Sequence, residues 1–118
     1  MRTLKFFTGM CLILIAFNVR AHAHLKTSMP KEGEVLTQAP ISISLTFSEP
    51  ARITAISLQK DHEPKQPLTA PTITGEQIKV LVPALTAGAY TLSWRVISTD
   101  DNHIMSGELH FQVSSVKP

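Results

Sequence analysis

From Pro30 onward the chain alternates apolar and polar positions in short runs cut by proline, glycine and polar clusters. Ile41-Ser42-Ile43-Ser44-Leu45-Thr46-Phe47 alternates strictly, so its apolar set falls on one face of a strand. Arg52 to Leu58 is β-branched and apolar enough for a second strand, and Gln77 to Val82 makes a third with Ile78, Val80 and Val82 on one side. Tyr90, Leu92, Trp94 and Val96 share a face of a fourth. Leu109, Phe111 and Val113 do the same near the C-terminus, opposite Glu108, His110 and Gln112. Val35-Leu36 and Thr72-Ile73-Thr74 add short edge strands. The 8 prolines all follow Ala21 and argue against long helices. Strands at this spacing predict an all-β fold, a Greek-key β-sandwich or barrel, with Tyr90, Trp94 and Phe111 in its core. Asp61 to Pro67 reads as a polar, solvent-facing loop.

The N-terminus carries a different pattern. Arg2 and Lys5 precede an apolar run from Phe6 to Phe17, which gives way to Asn18, Arg20 and a small-residue stretch. This is the layout of a secretory signal peptide, and the run is short of the roughly 20 apolar residues a membrane span needs. The expected organisation is a cleaved signal peptide at 1–21 and one exported domain at 22–118. Cleavage after Ala21 makes His22 the first residue, whereas cleavage after Ala23 makes it His24.

Cys11 leaves with the signal, so the mature chain has no disulfide and no thiolate for a copper site of the His₂Cys type. The formal charge changes too. Arg2, Lys5 and Arg20 depart, which turns +2 for the 118-residue chain into −1 for the mature one. No clustered basic face is left to argue for nucleic-acid binding, and the length excludes a multidomain enzyme.

Among the mature histidines, His62 lies in the polar loop and His110 on the outward phase of the last strand, both surface positions. His103 closes the polar turn Ser98-Thr99-Asp100-Asp101-Asn102-His103. Such turns form without metal because Asp and Asn cap their own backbone, so Asp-x-His is weak evidence by itself. An N-terminal histidine strengthens it. A free α-amine with a pKa of about 8 is partly deprotonated near neutrality, and it can close a chelate ring with its own imidazole. The His103 imidazole and the Asp101 carboxylate would complete an N₃O set, which suits tetragonal Cu(II); tetrahedral zinc stays open. His24 allows a competing local site in which the amine, two deprotonated amides and the third-residue imidazole wrap Cu(II).

Several segments together carry a family likeness. His22-Ala23-His24-Leu25 with Met29-Pro30, then Leu45 to Pro50 (LTFSEP), Leu85 to Tyr90 (LTAGAY), and Trp94 to Ser98 (WRVIS) with Asp101-Asn102-His103 and Ser106-Gly107 span nearly the whole mature chain. In this order they resemble the periplasmic copper-binding CopC family. The resemblance implies an immunoglobulin-like or cupredoxin-like β-barrel in the periplasm. It implies one Cu(II) per mature chain, bound by the N-terminal histidine and the Asp-x-His turn, with Glu49 as an outer-shell hydrogen-bond acceptor. A solvent position at a strand end accounts for Glu49 equally well.

His22, eight residues before Pro30, is favoured over His24 by the resemblance. The interval from Trp94 to His103 is one residue longer than the family spacing, so counting forward selects Asp100 and counting back selects Asp101. Asp101 is preferred because its carboxylate must approach the same metal as His103. Ile104 stands where the family often has proline, which predicts a looser turn. Met29 and Met105 are the methionines past the signal, read as packing residues rather than a Cu(I) site.

The expected function is a non-enzymatic Cu(II) carrier or buffer in copper homeostasis or resistance. The implied partners are an inner-membrane copper importer of the CopD type or another periplasmic copper protein. One alternative is a copper-dependent oxidative enzyme with a histidine brace. That reading is weakened by the short domain, which leaves little room for a substrate face, and by a carboxylate in a coordination position oxygen chemistry needs. The other is a metal-free β-sandwich interaction module.

Overall fold

The computed structural model describes residues 25–114. The expected signal peptide, both cleavage positions, Cys11, His22 and His24 lie outside the described residues. Every element within them is a strand: β1 (Leu25–Met29), β2 (Glu34–Leu36), β3 (Ser42–Lys60), β4 (Gln66–Pro67), β5 (Gly75–Leu81), β6 (Gly88–Ser98) and β7 (Ile104–Val113).

The fold turns on β3. The runs Ile41–Phe47 and Arg52–Leu58, separate strands by their pattern, fall in one 19-residue strand, Ser42–Lys60, with Ile41 exposed just before it instead of on the inward face. Its first half pairs antiparallel with β1 and β5, and its second half pairs with β4 and β6. The sheet then continues from β6 to β7 and on to β2, which runs parallel to β7. One strand thus leaves one layer and enters the other at Ser48-Glu49-Pro50, as corner strands do where a sheet curls into a sandwich or barrel. Those three residues contain no Gly, Asn or Asp to make a hairpin, so the chain bends and does not reverse.

Alternation fills the space between the layers. Ile43, Leu45 and Phe47 of β3 face Tyr90, Leu92, Trp94 and Val96 of β6 and Leu109, Phe111 and Val113 of β7, with Ile78 and Val80 of β5 closing the side. In the second half of β3 the inward phase slips from Ala51 and Ile53 to Ile56 and Leu58, where a bulge inserts one residue between Ile53 and Ala55. Fully burying one such side chain stabilises the fold by about 1.5–3 kcal/mol. Phe47 meets Trp94 edge to face at 6.3 Å, and Tyr90 stacks on Phe111 at 5.5 Å. The expected core aromatics are therefore in the core.

Two local devices explain sequence features that alternation does not. The Tyr90 hydroxyl donates to the Thr86 carbonyl at 2.7 Å and accepts the Thr86 N–H at 3.0 Å, the tyrosine corner of Greek-key sandwiches. Gly107 pairs with Trp94 across the strands, and a Cβ built on it would lie 2.7 Å from the indole Cζ2. The indole covers the glycine, so only glycine fits there.

Several readings of the pattern need correction. Thr72-Ile73-Thr74 forms no strand and simply leads into β5. Leu25–Met29, whose pattern predicts nothing, is β1, held by backbone pairing to β3 and not by an alternating face. Met29 is 70% exposed and packs nothing, whereas Met105 does pack against the core. Ile104 opens β7 opposite Ile97. The Asp61–Pro67 loop is exposed as expected, apart from the two-residue pairing of β4.

Candidate metal centre

The β6–β7 turn, Thr99 to His103, is exposed along its whole length but tied down at its root. Ser98 N–H donates to the His103 carbonyl and Asn102 N–H to the Ser98 carbonyl, both at 2.8 Å. Asn102 adopts φ 58°, a left-handed conformation asparagine tolerates better than most residues. Thr99 N–H reaches across to the Pro50 carbonyl at 3.1 Å, which fastens the turn to the β3 corner.

Within this frame the two candidate acids behave differently. The Asp101 Oδ1 accepts the His103 N–H at 3.1 Å, an Asx turn that draws the carboxylate toward the histidine. Asp100 engages through its backbone, its N–H lying 3.4 Å from the Ser98 Oγ. Both carboxylates are exposed.

Glu49 occupies the β3 corner on the same inward phase as Phe47 and Ala51, half-buried at the rim of the core. A carboxylate there is costly unless hydrogen-bonded, and the Ser98 hydroxyl donates to its Oε1 at 2.9 Å. Ser98 is fully buried, at 0% exposure. Sequence reasoning missed it by reading Ser98 as the start of a polar turn. The signal was present: the inward series Tyr90, Leu92, Trp94, Val96 continues by one step to 98.

Among the described residues, no three of His, Cys, Asp and Glu converge as a metal-binding group. Asp101 and His103 share one turn, and Glu49 is linked to its root through Ser98. The chain enters the described fold at Leu25, in register with Phe47 and so two positions from Glu49. A carboxylate and an imidazole are donors that Cu(II) accepts.

The remaining histidines sit elsewhere. His62 lies in the exposed turn after β3. His110 faces outward on β7, its Nδ1 2.9 Å from Glu32 Oε2 and its N–H donating to Glu32 Oε1 at 3.0 Å, a surface clamp between β7 and the turn before β2. A groove of about 780 Å³ over β3, β6 and β7 is lined by Ala55, Ser57, Ser93 and Ser106 but by none of the candidate ligands.

Residues 25–114 match the CopC domain family model. The chain is 33% identical over 119 residues to copper resistance protein C of Escherichia coli, covering 90% of this chain and 92% of that protein. It is 36% identical over 107 residues to protein YobA of Escherichia coli K12, covering 85% of each. It is also 34% identical over 113 residues to copper resistance protein C of Pseudomonas syringae pv. tomato, covering 86% and 87%. The crystal structure of CopC from Methylosinus trichosporium OB3b superposes with a TM-score of 0.64 at 20% identity, over 80% of this chain and 96% of that one, a likeness of fold. With the family model spanning every described residue and relatives of this identity along most of its length, the chain belongs to the CopC family.

Proposed function

We propose that this chain is an exported copper-handling protein, a periplasmic Cu(II) carrier or buffer without enzymatic activity. It binds one Cu(II) per mature chain through the α-amine and imidazole of His22, the imidazole of His103 and the carboxylate of Asp101, with Glu49 as an outer-shell acceptor. The carrying observation is the Asx turn that couples the Asp101 carboxylate to His103, on a turn fastened to the corner where the chain enters the fold. His22 lies three positions before Leu25, a reach of at most about 10–11 Å, and Leu25 pairs with Phe47, two positions from Glu49. Membership of a family with relatives named for copper resistance supports the choice of metal. A CopD-type importer of the inner membrane or another periplasmic copper protein is the exchange partner in this reading.

The test is Cu(II) titration of protein with its native mature N-terminus against the same protein extended by one residue. The amine of an extended protein no longer shares a chelate ring with the His22 imidazole. Expected is a loss of at least tenfold in affinity, consistent with one lost ligand; equal affinity would overturn the N-terminal site. His24→Ala separates the local alternative, since only a wrapped site of the third-residue kind would depend on it.

A further inference from the structure

Ser98 is the one polar side chain placed wholly inside the described core, and its hydroxyl has a partner both as donor and as acceptor. It donates its proton to Glu49 Oε1 at 2.9 Å and faces the Asp100 N–H at 3.4 Å with a lone pair. Its backbone independently holds His103 and Asn102. The two kinds of contact are separable. Backbone bonds close the turn and survive any change of side chain, whereas the hydroxyl joins the start of the turn to the inward-facing carboxylate of the β3 corner. A buried hydroxyl at the end of an otherwise apolar inward series does nothing for packing that alanine would not do. Its cost is offset only by these two partners.

We infer that Ser98 is a positioning residue for Cu(II): its hydroxyl fixes the Glu49 carboxylate relative to the Asp101–His103 turn, so that the corner and the turn present their groups in one preset arrangement. This rests on the Cu(II) reading above. Partners one step removed from a metal's ligands commonly change affinity 10- to 100-fold, and Ser98 acts one step further, through Glu49. In Ser98→Ala the turn stays closed by its backbone, but the hydroxyl's bond to Glu49 Oε1 and its contact with the Asp100 N–H are lost.

The experiment compares wild type, Ser98→Ala, Glu49→Ala and the double variant, all with the native mature N-terminus. Cu(II) affinity is read by competition titration, the copper environment by electron paramagnetic resonance, and the metal-free fold by thermal melting. Expected for Ser98→Ala is an affinity loss of about tenfold with altered copper hyperfine splitting. Glu49→Ala should show the same, and the double variant should match Glu49→Ala because both changes remove one linkage. Wild-type affinity and spectrum in Ser98→Ala, with only the melting temperature lowered, would overturn the inference; so would losses that add in the double variant. If Ser98→Ala fails to fold, Glu49→Ala still decides, since unchanged Cu(II) binding there leaves Ser98 nothing to position. His103→Ala is the control for the underlying reading. Wild-type binding in that variant would sink the site as a whole, whereas a loss there with none in Ser98→Ala would sink only the role of Ser98.

Discussion

Asp100 and Asp101 are neighbours with the same side chain, and hydrogen bonding separates them. Asp101→Asn keeps an oxygen able to accept the His103 N–H, so the turn survives while the anionic donor is lost. Expected is clearly weaker Cu(II) binding at unchanged apo stability, read by competition titration and melting. Asp100→Asn should stay within about threefold of wild type, because Asp100 engages the turn through its N–H; a larger loss there would transfer the ligand role to Asp100. Counting back from His103 selects Asp101, and the structure joins those two residues in one Asx turn. Ser98 was not legible in the sequence, because a serine beside Thr99 and Asp100 reads as turn, and only a strand extended to its last residue shows it facing inward. Glu49 divided evenly between solvent and site for a related reason. One of its partners comes from β6, 49 residues further along, where Ser98 donates to it.

Strand β3 shows where periodicity succeeds and where it stops. Alternation identified both of its halves, but Pro50 looked like a break. The corner it marks is stabilised by long-range contacts, including Thr99 N–H to the Pro50 carbonyl, that no local window contains. β1 escaped because an edge strand held by backbone pairing need not alternate. Gly107 and Trp94 were visible as family landmarks, and their pairing gives the physical reason. Gly107→Ala should destabilise the fold by about 1–3 kcal/mol through overpacking against a rigid indole, measurable as a lower denaturant midpoint at unchanged slope. Tyr90→Phe keeps the stack on Phe111 but strands the Thr86 backbone groups. A loss of about 1–3 kcal/mol is expected from the same measurement, and a neutral Tyr90→Phe would remove the tyrosine corner from the account of stability.

For the molecule as a unit, an ion bound only by the folded chain adds to its stability. At Cu(II) a hundredfold above the dissociation constant the gain is about 2.7 kcal/mol, on the order of 10–20 °C in melting temperature for a domain this small. That shift should shrink in the N-terminally extended protein, and the metal-free melting temperatures of the two should coincide. Because the proposed ligands bind metal in deprotonated form, acidification should weaken Cu(II) binding and the shift with it, checked by melting with and without copper at two pH values. The passage of β3 through both layers bears on how such a protein comes apart. Neither layer holds a complete set of strands once β3 is withdrawn, so the amides of its two halves should exchange with solvent at one rate, as a single cooperative unit. The Thr99–His103 turn, exposed throughout, should exchange far sooner. The foundation of the candidate centre would then outlast the turn mounted on it, and an ion could depart by loosening of five surface residues while the barrel stays shut.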